Sequence, residues 1–406
     1  MKKVYRIIAT ALGITLFLLS NQIFAVNPTG IITPSVINKS TTTNPKEIPL
    51  KKALAKATST PVQEDSEEAK KLYQERLKKN PSDEDARLLL ANYYIAKRRD
   101  LTALWVIKQG LRLNPNSVLL LMKLSDIQTY LTAYAPAIAT NKKILTLDPN
   151  NVYSKQYLSD VKQVIPRYDY GVNEVGFTTD NSYVTGFHQI WDYSSLYYTR
   201  DTSYGRFGGR INFAARQGFT APQYELDFSP VLNRDVSFNL VATYANQPNL
   251  FSDYSYGGQA NISLTSSLQF TGGAIYSNIA PTFFMTYIAG LNYAVGNYLL
   301  SVTPYYFVPQ TNVKSVLMTG VIKRFFGTED HSVSLTVGIG HSPDLANLTT
   351  VNFIVLKNDF ANLLYEFPIL AHRLVVDLQI GYQRWEFPTG EINNFYDTLV
   401  GLKYRF

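Results

Sequence analysis

The sequence predicts an α + β multidomain chain: a helical-repeat solenoid followed by an antiparallel transmembrane β-barrel of about fourteen strands, within a range of twelve to sixteen. Three observations carry this. Asn80-Pro81, Asn114-Pro115 and Asp148-Pro149 recur every 34 residues, each after an apolar-periodic run. From Tyr168 onward, apolar and polar residues alternate in long runs. The last of these, Phe395 to Phe406, sets an aromatic face against a basic one.

Taken in order, residues 1–25 read as a signal peptide. Lys2, Lys3 and Arg6 form the positive start, Ile7–Leu19 the apolar middle, and Ala25 the small residue before cleavage at Val26. Residues 26–65 read as a flexible linker, with Pro28, Pro34, Pro45, Pro49 and Pro61 among threonines, serines and lysines and too few large apolar residues for a core. Any membrane crossing must use strands, because no later apolar run has the length of a spanning helix.

The 34-residue period over 66–165 is that of the tetratricopeptide repeat, a helix-turn-helix unit. Small residues let paired helices approach and large ones fill the groove between units. In the unit ending at Pro115, Leu90, Ala91 and Tyr94 occupy the first helix, and Ala103, Ile107 and Gly110 the second. In the unit ending at Pro149, Leu124, Ala137 and Ile144 correspond. Gln128 and Asn141 replace the usual apolar choice, so loose packing is expected there. A docking surface for a periplasmic partner is the functional expectation; a spacer is the plainer one.

Residues 166–406 read as the barrel. In 204–216, Phe207, Ile211 and Phe213 oppose Arg206, Arg210 and Arg216. In 222–230, Tyr224, Leu226 and Phe228 oppose Glu225 and Asp227. Strands of about 9–11 residues are what a tilted crossing of a bilayer needs, whereas soluble strands favour about 5–6. An even strand number places both barrel ends on the helix-bearing, periplasmic side. The first strand is expected near 168–178, followed by a loop at 179–187. A Lys or Arg facing lipid at mid-membrane costs about 2–4 kcal/mol. Arg206, Arg210, Arg216, Glu225, Asp227, Arg373, Asp377, Lys403 and Arg405 are therefore expected to line the lumen, with ion pairs from Arg210 and Arg216 to Glu225 and Asp227. In the last strand Tyr396, Val400, Leu402, Tyr404 and Phe406 share the apolar face. They form the candidate signal for the barrel-assembly machinery.

The stretches Arg200–Gly205, Gln223–Pro230, Phe251–Gly258 and Tyr404-Arg405-Phe406 resemble the YaiO-type outer-membrane barrel proteins over roughly 168–406. The resemblance implies the outer membrane of a Gram-negative bacterium, with the helical repeats in the periplasm. A helical scaffold ahead of a barrel is also similar to the outer-membrane secretins of exopolysaccharides.

Composition narrows the chemistry. There is no cysteine, which removes disulfides and thiol catalysis. The formal charge of +7 falls to about +4 without the three basic residues of the leader, too little to argue for nucleic acid. Aromatics reach 13%, with 29 tyrosines, which suits interfacial girdles. Of four histidines, His341 beside Ser342 and His188 near Ser194 are the only nominees for a Ser-His pair, and no cofactor or metal is expected. The expectation is a non-enzymatic barrel in outer-membrane lipid that passes a polar solute or polymer, exopolysaccharide included, with repeats that dock a partner. The alternative is a structural or surface protein with a plugged, non-conducting barrel.

Overall fold

A computed structural model describes residues 66–164, 172–186, 188–216, 219–246, 250–279, 282–310, 314–344, 354–370 and 372–406. The expected signal peptide and linker lie outside the described residues.

Six helices come first: α1 (Glu67–Lys79), α2 (Glu84–Ala96), α3 (Asp100–Leu113), α4 (Val118–Tyr130), α5 (Tyr134–Leu147) and α6 (Val152–Val164). Their turns repeat with the period of the sequence. Asn80, Asn114 and Asp148 each close the preceding helix with a backbone N–H, to Arg76 O, Gly110 O and Ile144 O, and each carbonyl then accepts from a residue three further on. Ser66, Asp83 and Ser117 cap the helices that follow through side-chain oxygens, satisfying amides that have no partner within the helix. Arg98 and Thr132, also 34 apart, both take positive φ, at 57° and 54°, in the tight turns within the two helix pairs.

Leu90, Ala91, Tyr94, Ala103, Ile107, Leu124, Ala137 and Ile144 are all buried. Gly110 marks the closest approach: a Cβ there would lie 2.6 Å from Arg87 Cδ and 2.9 Å from Leu120 Cδ1. Pro115 and Pro149 are not part of this core. They sit exposed in the turns, where a ring with no N–H stops a helix but has nothing to pack against. The second unit is not loose either. Asn141 is fully buried, donating to Ser125 Oγ at 2.5 Å and Ala137 O at 2.9 Å. Gln128 accepts from Thr140 Oγ1 at 2.8 Å.

Fourteen strands follow: β1 (Asn173–Val184), β2 (Gln189–Thr202), β3 (Gly205–Arg216), β4 (Phe219–Asn233), β5 (Val236–Ala245), β6 (Tyr254–Ser263), β7 (Leu268–Ile279), β8 (Thr282–Val295), β9 (Tyr298–Pro309), β10 (Ser315–Phe326), β11 (Thr328–Asp344), β12 (Ile354–Ile369), β13 (Leu374–Glu386) and β14 (Ile392–Arg405). Each pairs antiparallel with its sequence neighbours, and β1 pairs with β14 to close the barrel. β1 runs to Val184 instead of ending near 178. Asp180 and Ser182 have the lumen parity of Glu174, so their polarity marks an inward face and not a loop.

Turns at the helix-bearing end are short, as at 203–204, 234–235 and 296–297; β13 and β14 are joined at the far end by the longer connection 387–391. Gly205 makes the first short turn, with φ +130° and its backbone so close to Ser229 O that a Cβ would come within 2.0 Å. No described helix is long and apolar enough to cross a membrane.

The helices are fastened to the barrel by these short turns. Asp100, with no exposed surface, accepts from Arg234 in the β4–β5 turn at Nη2 (3.1 Å), Nε (3.3 Å) and the backbone N (3.2 Å). The same guanidinium lies 4.2 Å from the Tyr130 ring. Gln128 donates to Ser203 Oγ at 3.0 Å, and Lys108 stands 4.2 Å over Tyr204. Val231 of β4 packs against the helical core.

Removing one partner of such a pair leaves a buried charge uncompensated, at about 3–5 kcal/mol. Arg234→Ala is therefore expected to destabilise the helical unit by about 3 kcal/mol. Thermal melting followed at 222 nm checks this, and the double substitution with Asp100→Ala should recover most of the loss.

Candidate functional site: the barrel lumen

Side chains alternate strictly across the wall. In β14, Tyr396, Val400, Leu402 and Tyr404 face out, as does Phe406 beyond its end, while Asp397, Lys403 and Arg405 face in. In β3 and β4 the outward set is Phe207, Ile211, Phe213, Tyr224 and Leu226, and the inward set Arg206, Arg210, Glu225 and Asp227. The outward residues run from about 37% to 69% exposed, whereas inner-wall polar groups such as Asn212, Gln223, Asp377 and Gln383 are within 1% of full burial. These inward polar groups are covered by neighbouring lining side chains.

At the helix-bearing end the lining is a charge network. Arg405 donates to Glu174 at 2.8 Å across the β1–β14 seam, where the two residues are register partners. Its two Nη atoms grip Asp330 at 2.7 and 3.0 Å, with His372 Nδ1 at 3.7 Å from the same carboxylate. Lys403 reaches Asp377 at 2.8 Å and Glu366 at 3.1 Å. Glu366 also takes Lys323 and, at 2.8 Å, Ser332 Oγ. On the facing wall Arg206 pairs with Asp201 at 2.7 Å, and Arg210 stands 3.7 Å from its register partner Glu225 and 5.3 Å from the Tyr197 ring. Ser195 and Asn212 continue the row, Asn212 donating to Gln223 at 3.2 Å.

One of the nine expected lining residues stands elsewhere. Arg373 is exposed, in the turn ahead of β13, because that strand begins at Leu374, three residues later than the alternation suggests. The Arg216 backbone ends β3 at the far rim opposite Phe219, six residues along β4 from Glu225, the partner expected for it. Asp227 lies opposite Gly208 and folds over that glycine, where a Cβ would come within 2.2 Å of Oδ2.

Glu174, Asp201, Lys323, Asp330 and Glu366 belong to the network but escaped the sequence reading. Parity alone could have found Lys323, which continues the inward series of β10. Among the described side chains, the cations Arg206, Arg210, Lys323, Lys403 and Arg405 face a larger number of inward carboxylates, so the wall is not a basic surface.

The far end is apolar on the inside. Trp191, Trp385, Phe395, Phe387, Leu356 and Val184 form one buried cluster, with the Trp385 and Phe395 rings 4.1 Å apart. Leu250 and Phe251 of the β5–β6 connection turn inward against Ala214, Ala221 and Ala245. Neither Ser-His pair forms. His341 is exposed on one face of the wall and Ser342 buried on the other, while Ser194 donates to Thr179 at 3.1 Å and His188 contacts Tyr183. Among the described residues no group of three His, Asp or Glu is placed to hold a metal.

Residues 172–345 match the family model described as the YaiO membrane beta barrel domain. No curated protein matches the chain. Among solved structures, the chain is similar to a bacterial polysaccharide outer membrane secretin (7% identity, TM-score 0.41, 58% of this chain and 98% of that one). It is also similar to OprD of Pseudomonas aeruginosa (8%, 0.36, 57% and 94%). A third is an anion-selective porin from Comamonas acidovorans (9%, 0.33, 58% and 98%).

Ile211→Arg or Leu226→Arg should cost about 2–4 kcal/mol in the membrane and block insertion. The inward Asn212→Arg, which meets Glu225, should still assemble. Heat-modifiable mobility of the membrane fraction separates the two outcomes.

Proposed function

From the premise that the chain carries a YaiO-type outer-membrane barrel behind its helices, we propose that the barrel is a conduit for a polar solute or polymer, held closed at its far end. The observation that supports this is the contrast along the lumen axis. Nearly all the inward charges lie at the helix-bearing end and in the middle of the wall, among buried apolar groups such as Val375 and Leu399, and the far end gathers the rings of Trp191, Trp385, Phe395 and the inturned Phe251. Eight strands already enclose a space that side chains can fill, and 16–18 leave an aqueous channel. Fourteen are more than an anchor needs. The six helices, read as tetratricopeptide repeats, are the docking scaffold for a periplasmic partner, and the outward aromatics of β14 are what the barrel-assembly machinery reads. The self-paired charge network favours a second reading, a plugged anchor for the helices.

Planar-bilayer recordings separate them. Wild-type protein should be nearly silent, and Trp385→Ala combined with Phe251→Ala should give stepwise currents of weak ion selectivity, since the lumen charges are paired. A variant that folds and stays silent would leave the anchor. A wild type that conducts steadily would refute the closure.

A further inference from the structure

Between the aromatic seal and the charge network, the inner wall of β12–β14 carries a set of polar groups with unused hydrogen-bonding capacity. Register places them in adjacent rows: Asn358, Trp385 and Asn393 in one; Phe360, Gln383 and Phe395 in the next; Asn362, Gly381 and Asp397 in the third. Asn358, Gln383, Trp385, Asn393 and Asp397 are at least nine-tenths buried. The donors Asn358 Nδ2, Trp385 Nε1 and Asn393 Nδ2 have no hydrogen-bond partner. Neither do the acceptors Gln383 Oε1, Asn362 Oδ1 and Asn393 Oδ1, and the Asp397 carboxylate has only the hydroxyl of its register partner Ser182 of β1 beside it. Gly381 lets the Asn362 side chain fold over it toward Asp397: a Cβ there would lie 2.2 Å from Asn362 Oδ1 and 3.2 Å from Asp397 Cβ. Within the set, Gln383 Nε2 donates to Asn358 Oδ1 at 2.8 Å; single unpartnered groups such as Thr243 Oγ1 and Thr286 Oγ1 occur elsewhere on the inner wall, but β12–β14 gathers them on adjacent rows.

We infer that this wall is a binding track for an uncharged, hydroxyl-rich solute such as a neutral oligosaccharide, an inference that rests on the conduit reading and names its substrate class. Donors and acceptors are interleaved along the rows, and a hydroxyl is the group that serves both. The indole and phenyl rings of Trp385, Trp191 and Phe395 border the track and offer faces for the C–H surface of a sugar ring. An anion is disfavoured by Asp397, which has no cation beside it on these rows. A cation would meet a single carboxylate among amides.

The test uses the full-length protein in a detergent without a sugar headgroup. Of its three tryptophans, Trp105 lies exposed on α3, so Trp105→Phe leaves Trp191 and Trp385 as reporters. Neutral hexasaccharides, cello- and malto-linked, are titrated against anionic oligogalacturonate. The titrations are repeated with Phe251→Ala, which loosens the far mouth outside the track. The expected result is a saturable fluorescence change with a neutral hexasaccharide, weakened about tenfold by Asn358→Ala with Asn393→Ala in a barrel of unchanged heat-modifiable mobility. No saturable change in either background would mean that water alone serves these groups and would overturn the inference. Tighter binding of oligogalacturonate would overturn the solute class. Because the conductance recordings contain no sugar, currents without a sugar response would leave the conduit standing and remove the track.

Discussion

Hydrocarbon offers no hydrogen bonds, so every backbone N–H and C=O that enters it must find a partner within the protein. For a chain without a spanning helix among its described residues, that constraint requires the first strand to meet the last. The β1–β14 ladder, from Glu174 opposite Arg405 to Val184 opposite Phe395, is the seam that satisfies it. Closure then dictates the rest. One parity must be apolar, the other is free to be polar, and the charges must share the inside with the side chains that fill it.

That single rule made much of the molecule legible in the sequence. The alternation of Phe207, Ile211 and Phe213 with Arg206 and Arg210 gave both strand and face. The Asn-Pro and Asp-Pro turns gave the helical period, because a helix must stop where proline follows. What stayed hidden depends on relations between distant strands. Asp330 and Glu366 are unremarkable in sequence; only register across β10–β14 sets them beside Lys323, Lys403 and Arg405. Arg216 looked like a partner for Glu225 because hairpin position fixes facing but not height along the barrel. Gln128 looked like a packing defect because its hydrogen-bonding partner, Ser203, lies 75 residues away in the barrel.

The interior divides into three zones of distinct chemistry. Charges at the helix-bearing end are held in shared ion pairs, with carboxylates in excess, and these pairs stiffen the wall. The rings at the far end exclude water. Between them lies a stretch of amides whose hydrogen-bonding capacity the protein does not use.

The Asp100–Arg234 contact has a consequence for geometry in time as well as in space. A solenoid on a free tether would sample many orientations, and anything it held would meet the barrel mouth only as often as diffusion allowed. With Arg234 locked into the first turn of α3 and stacked near Tyr130, the helices stand at the barrel mouth at one height and one angle. The effective concentration at the mouth of any molecule they held would be set by the rigidity of this clasp, together with the Gln128–Ser203 and Lys108–Tyr204 contacts, instead of by linker length.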